Sequence, residues 1–168
     1  MTDKTNSHCS YCGSAYPADA SWPRTCDACG GTTYRNPLPV AVTLLPARHS
    51  AGTGLVVITR TIEPARGRVA LPGGFIDHGE DWRDAIVREL HEETGIEAPA
   101  TDVRLADALS STDHLLLFGL LPTREAVTLP PPTPTDETTG WHLLTEPTDL
   151  GFPLHTTAAR RWFAGAYA

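Results

Sequence analysis

At 168 residues the chain has room for one domain of ordinary size and a small appendage, and not for two large domains. Hydrophobic residues make up 40% and charged residues 20%, with a formal charge of −7, which is the balance of a chain that buries a core rather than a disordered one. The longest apolar stretch, Leu115 to Leu121, is far short of the roughly 18–20 residues of a membrane helix, and the N-terminus does not read as a signal peptide, so a cytoplasmic protein is expected.

All four cysteines fall in the first 29 residues, as Cys9-Ser-Tyr-Cys12-Gly13 and Cys26-Asp-Ala-Cys29-Gly30. Two thiolates separated by two residues can face one ion, the following glycine lets backbone amides turn toward sulfur, and two such knuckles complete a tetrahedral four-cysteine zinc site. The alternative, a pair of disulfides, is disfavoured in a reducing compartment. His8 is expected to be a bystander. Residues 1–35 thus read as a zinc ribbon, too small to bury enough apolar surface on its own and dependent on Zn2+ for its fold.

An extended connector, Tyr34-Arg-Asn-Pro37-Leu-Pro39, opens the larger domain, taken as 36–168. Strands are expected over 40–45, 54–61 and 69–71, with a loop at Gly73-Gly74. A helix is expected from Asp81, as N-cap, to Glu93, with Trp82, Ile86 and Leu90 recurring every four residues and Gly95 as its stop. Further strands are expected near 103–106, 114–121 and 141–144, a loop at 130–134, and a closing helix over 155–164. Strands and helices mix without strict alternation, which favours α+β.

The negative charge is concentrated: from Asp77 to Glu97 there are eight acids and two arginines. Such a patch attracts cations. On the expected helix Glu89, Glu92 and Glu93 share an arc of about 100°, with Cβ atoms about 5–6 Å apart, so their mutual repulsion is relieved by a cation. Oxygen-only ligands select hard ions, hence Mg2+ or Mn2+, which bridge carboxylates to substrate phosphates. Direct phosphate binding at the helix N-terminus is disfavoured, because Glu80, Asp81 and Asp84 occupy it.

Residues 74–96 also resemble the signature of the Nudix hydrolases: Gly74, five residues, Glu80, seven residues, Arg88-Glu89, Leu90, His91, Glu92-Glu93, Thr94, Gly95, Ile96. Every fixed position matches. The resemblance implies an α/β/α sandwich with a mixed sheet. It implies that Glu89, Glu92 and Glu93 hold the metals, with the carbonyl of Gly73 as a candidate further ligand, and that Arg88 pairs with Glu80 to brace the loop. The implied reaction is attack of water on a nucleoside diphosphate linked to a moiety X, giving a nucleoside monophosphate and phosphorylated X. Glu89 is the first choice for the base and Glu137 the second.

A zinc ribbon ahead of such a domain is similar to the branch that hydrolyses NADH, ADP-ribose or FAD. That branch's Ser-Gln-Pro-Trp-Pro-Phe-Pro stretch for NADH is replaced here by Ala108-Leu-Ser-Ser-Thr-Asp-His114. Arg60, Arg66 and Arg68 are candidates for pairing with phosphates. The 122–140 segment, with Asp136-Glu137, reads as a lid or partner contact supplying an acid, or as a plain surface loop, and Trp141, Phe152, Trp162 and Phe163 as packing residues. Alternatives are a nucleotide-sensing adaptor with little catalysis, an RNA-cap hydrolase, and a hydrolase of oxidised nucleotides. With Lys4 the sole lysine, nucleic acid is a disfavoured partner and a small nucleotide the expected one. The resemblance is compatible with a homodimer.

Overall fold

The computed structural model describes residues 6–167, which fall into two compact units, Met1–Pro37 and Leu38–Ala168. In the first, β1 (Arg24–Thr25) and β2 (Thr32–Thr33) form an antiparallel hairpin with Arg24 opposite Thr33. Its buried cluster is Cys9, Tyr16 and Cys26, with Ala20 packed against them. Tyr16 donates to Thr33 Oγ1 at 2.7 Å, and the Arg24 guanidinium lies 4.4 Å from the Trp22 ring.

The second unit runs β3 (Leu38–Leu44), β4 (Pro46–His49), β5 (Gly52–Arg60), β6 (Val69–Ala70), β7 (Gly73–Phe75), α1 (Trp82–Thr94), β8 (Arg104–Ser110), β9 (His114–Leu120), β10 (Arg124–Glu125), β11 (Thr138–Leu144) and α2 (Pro153–Phe163). One sheet has the order β7-β3-β9-β8, with β3 and β9 parallel and the outer pairs antiparallel. The other has the order β10-β4-β5-β11, with β6 also on β5. The α+β class and its mixed sheets are as expected.

Strand periodicity sends alternate side chains to opposite faces. Ala41 of β3 and Val56 and Ile58 of β5 pack with Ala85, Ile86 and Leu90 of α1. Val42, Leu44, Leu55 and Val57, their neighbours in sequence, pack with Phe118, Ala158 and Ala159 on the side of α2. The run Leu55-Val56-Val57-Ile58 is fully buried because both faces of its sheet are covered. This is the α/β/α sandwich.

Three expectations need correction. Gly73-Gly74 is not a loop: with Phe75 it forms β7, paired to β3 with Val42 opposite Gly73 and Ala41 opposite Gly74. Two glycines carry no β-propensity, but here the side-chain space belongs to neighbours, since a Cβ on Gly73 would lie 2.3 Å from the Ala41 carbonyl oxygen. Strand β4 was not anticipated, because Pro-Ala-Arg-His has no apolar alternation; its pairing with β5 creates it. The 122–140 segment is more than a loop, containing β10, a 3-10 turn at Ala126–Thr128 and the start of β11.

Helix α1 begins and ends where its caps dictate. Asp81 accepts from the Arg83 N–H at 2.8 Å, and Gly95, at φ 72°, donates its N–H to the His91 carbonyl at 2.7 Å. Near the end of α2, Arg160 pairs with Asp149 and Arg161 with Asp107. Trp141 is buried, its indole N–H donating to the Pro130 carbonyl at 3.1 Å. No helix among the described residues is long and apolar enough to cross a membrane.

Candidate active site

The C-terminal half of α1 presents Arg88, Glu89, Glu92 and Glu93 toward β7 and the loop before the helix. Arg88 organises this corner. Its Nε donates to Glu80 Oε1 at 2.8 Å and its Nη2 to Glu80 Oε2 at 2.9 Å, a two-bond fork, while Nη2 also reaches the Phe75 carbonyl at 3.1 Å. Glu80 accepts from the Asp77 N–H as well, and the Arg88 bonds lower its carboxyl to about 2. The loop is thereby fastened to the helix through two side chains.

The remaining nitrogen, Nη1 of Arg88, donates to Glu89 at 2.7 Å and to Glu92 at 3.2 Å. Glu89 is half-buried, which raises its carboxyl above the ordinary range despite Arg88. Glu92 is exposed. Glu93 is 3% exposed, and its Oε2 accepts from the Gly73 N–H at 2.8 Å. Burial pushes Glu93 up to about 8, the Gly73 bond opposes this, and the Glu89 carboxylate adds to it.

Gly73, Arg88, Glu89, Glu92 and Glu93 meet in the wall of one cavity of about 890 Å³. Glu137 lines it too. Its backbone is held by the residue that follows β5, because its carbonyl accepts from the Thr61 N–H at 2.8 Å and the Asp136 carbonyl from Thr61 Oγ1 at 2.8 Å. Of the three arginines singled out from the sequence, Arg60 lines the cavity and Arg66 and Arg68 do not. Glu80 is also outside the lining and acts through Arg88. Sequence reasoning missed Phe75, His114, Leu154 and His155, and read Phe152 as packing only; all five face the cavity. No local signal marks them, since they come from separate strands and from α2.

The donor set suits a hard cation: three carboxylates, one of them almost wholly buried. Among the described residues, however, the group whose ligand atoms already lie close enough for one ion is Cys9, Cys12, Cys26 and Cys29, all within 4.8 Å of one another. The Cys9–Cys29 and Cys12–Cys26 sulfurs are 3.7 and 3.6 Å apart, and all four thiols are free. Tetrahedral zinc with bonds of about 2.3 Å separates its sulfurs by about 3.8 Å, so the cage has the size of that ion. Each knuckle closes on its glycine, with Gly13 N–H bonded to the Cys9 carbonyl and Gly30 N–H to that of Cys26. N–H groups of Cys12 and Tyr11 bring the Cys9 thiol down to about 6, toward the thiolate a metal needs. His8 bonds to Ser7 and stands outside the cage.

Comparison with known proteins places this architecture. A model of the NUDIX domain matches residues 37–164. The chain belongs to the Nudix family. Among curated relatives, the ADP-ribose pyrophosphatase of Methanocaldococcus jannaschii is 48% identical over 42 residues, 25% of this chain and 25% of that protein. The NAD-capped RNA hydrolase NudC of Salmonella typhi is 26% identical over 94 residues, 55% of this chain and 35% of that protein. The Nudix chain therefore matches only about a quarter to a third of the length of these relatives. A solved NUDIX hydrolase from Nitrosomonas europaea shares the fold at TM-score 0.68 and 22% identity, over 94% of this chain and 90% of its own. The bifunctional NMN adenylyltransferase/ADP ribose pyrophosphatase of Francisella tularensis, solved with AMP and a Mn ion, follows at TM-score 0.64 and 18% identity, over 79% and 43%.

Proposed function

We propose that this Nudix chain is a divalent-metal-dependent pyrophosphohydrolase that cleaves a nucleoside diphosphate linked to a moiety X into a nucleoside monophosphate and phosphorylated X. In this reading residues 1–35 are a Zn2+-held ribbon and 36–168 the hydrolase domain. The observation that carries it is the convergence of Glu89, Glu92, Glu93, Gly73 and Glu137 on one cavity that also holds Arg60. A cavity of about 890 Å³ is of the size that encloses a dinucleotide-like ligand in large part.

Glu89, Glu92 and Glu93 would hold Mg2+ or Mn2+, with the Gly73 carbonyl as a candidate further ligand, while the Gly73 N–H steadies Glu93. The bound cation supplies positive charge to the phosphate oxygens and makes water more acidic. Glu89 is the first candidate to take the proton from the attacking water, since it lines the cavity with the other box carboxylates, and Glu137 is the second. Arg88 and Glu80 keep the box loop against α1. Water adds to one phosphorus, the bridging P–O bond breaks, and the oxygen leaves with X-phosphate or the mononucleotide. The ADP-ribose pyrophosphatase and NAD-capped RNA hydrolase relatives support placing ADP-ribose and NAD first among substrates.

The test is an assay by mass spectrometry with Mg2+ or Mn2+ and a panel of ADP-ribose, NAD, NADH, FAD, NAD-capped RNA and an oxidised dGTP. One compound is expected to yield a mononucleotide. The double variant Glu92→Gln, Glu93→Gln is expected to lose turnover by about a hundredfold or more with an unchanged circular dichroism spectrum. Undiminished turnover in that variant overturns the reading, and tight ADP-ribose binding with no product points to the sensor.

A further inference from the structure

The hydrolytic scheme leaves His155, in the first turn of α2, without a role. It is 6% exposed and lines the same cavity as the box carboxylates. Its Nδ1 faces the backbone N–H of Leu71 at 3.3 Å. A backbone N–H can only donate, so Nδ1 is the acceptor and the proton of the neutral ring sits on Nε2. Burial, with the nearby Arg60 charge, pushes the ring down to about 3, which keeps it neutral at ordinary pH. Phe118 meets the ring edge-on with centroids 6.1 Å apart and Phe152 lies 5.0 Å away, so its plane is fixed.

Nε2 has no protein acceptor among the described residues. No fully buried side-chain nitrogen or oxygen there lacks a partner, so Nε2 keeps some accessible surface, and the ring lines the cavity. An oriented donor in an apolar wall is costly unless something from outside accepts its hydrogen bond. Arg60 stands beside it. Its Nε donates to the Pro64 carbonyl at 2.9 Å and its guanidinium lies 5.5 Å from the Phe152 ring, while neither Nη group has a hydrogen-bond partner among the described residues. Arg60 lines the same cavity as His155 and Glu93.

We propose that His155 Nε2–H and the Arg60 guanidinium form a donor subsite that binds an oxygen of the substrate, making both of them substrate-binding residues. This rests on the hydrolase reading for the word substrate, but the subsite itself is defined by binding. Two donors with no acceptor select oxygen acceptors and reject amines. The oxygen belongs either to a phosphate or to a sugar hydroxyl.

Two substitutions separate the two ring nitrogens. His155→Asn keeps an acceptor at the Nδ1 position and loses the Nε2 donor, whereas His155→Gln keeps a donor near Nε2 and loses the acceptor for Leu71. Affinity for ADP-ribose and for inorganic pyrophosphate is measured by calorimetry on the zinc-loaded full chain, with Ca2+ replacing Mg2+ to slow turnover, alongside melting temperature. His155→Asn is expected to lose about tenfold or more in ADP-ribose affinity while melting near the wild type. His155→Gln is expected to bind within about threefold of the wild type and to melt lower.

Arg60→Gln, which leaves α2 untouched, is expected to lose about tenfold. Equal loss for pyrophosphate assigns the phosphate oxygen, and loss confined to ADP-ribose assigns the sugar hydroxyl. Wild-type affinity in His155→Asn or in Arg60→Gln overturns the subsite, as does a wild-type chain that binds neither probe. Affinity that follows melting temperature rather than the Nε2 donor overturns it too. Binding with this pattern but no hydrolysis in Mg2+ or Mn2+ overturns the hydrolase reading alone.

Discussion

Glu93 is a carboxylate in a place that favours its neutral form. Its ordinary value of 4.5 applies in the unfolded chain, and burial raises it to about 8 in the folded one. Between those values the folded state binds more protons, so stability falls as pH rises through that window. The metal-free box is expected to lose melting temperature between about pH 5 and pH 8, and Mg2+ or Mn2+ to restore it at the upper end. Scanning calorimetry of the wild type and Glu93→Gln checks this, because the Gln variant should show a flatter slope. An identical slope in both proteins assigns the effect elsewhere. The sequence placed Glu89, Glu92 and Glu93 on one helix face but held no sign that Arg88 Nη1 bridges Glu89 and Glu92, since that depends on the fork being anchored by Glu80. His155 was illegible for a similar reason. Its chemistry is set by Leu71, 84 positions away in sequence.

Strand β7 shows how an element can be defined by what surrounds it. A Cβ on Gly73 would meet backbone, the Ala41 oxygen at 2.3 Å and Val42 Cα at 2.9 Å. A Cβ on Gly74 would meet the Glu89 carboxylate at 2.5 to 2.6 Å, the end of a flexible side chain. The two substitutions should therefore separate. Gly73→Ala is expected to force β7 from β3 and cost several kcal/mol, about 3 or more. Gly74→Ala is expected to stay within about 1 kcal/mol of wild-type stability while reducing turnover about tenfold or more by displacing Glu89. Urea denaturation and steady-state kinetics on the pair test this, and equal stability of both variants refutes it. Helix α1 was legible because its periodicity and both caps are local. Strands β4 and β7 were not, because pairing partners supply what their own residues lack.

Across the whole molecule, the two units draw on different sources of stability. The Leu38–Ala168 unit has strands covered on two faces by apolar clusters, whereas the Met1–Pro37 unit has a buried cluster of Cys9, Tyr16 and Cys26. So small a core is expected to leave the folding free energy of this unit to a metal held by the four cysteines. Native mass spectrometry is expected to find one zinc per chain. Cys12→Ser is expected to lose it, with amide resonances of residues 6–37 collapsing to unfolded positions while those of β3, β5 and β9 stay dispersed. Retained ribbon dispersion in the metal-free variant refutes metal-dependent folding.

The sequence by itself determined what is local or strictly spaced: the cysteine knuckles, the capped helix with its three acids, the Arg88–Glu80 spacing and the family pattern. Each of these needs only a turn, a helical period or a motif length. The tertiary structure alone decided which distant residues share the cavity. Arg60 from β5, Phe75 from β7, His114 from β9, Glu137 before β11 and His155 from α2 meet because the two sheets pack between α1 and α2. Burial then sets their chemistry, raising Glu93 and holding His155 neutral, and burial is a property of the packed chain rather than of any segment.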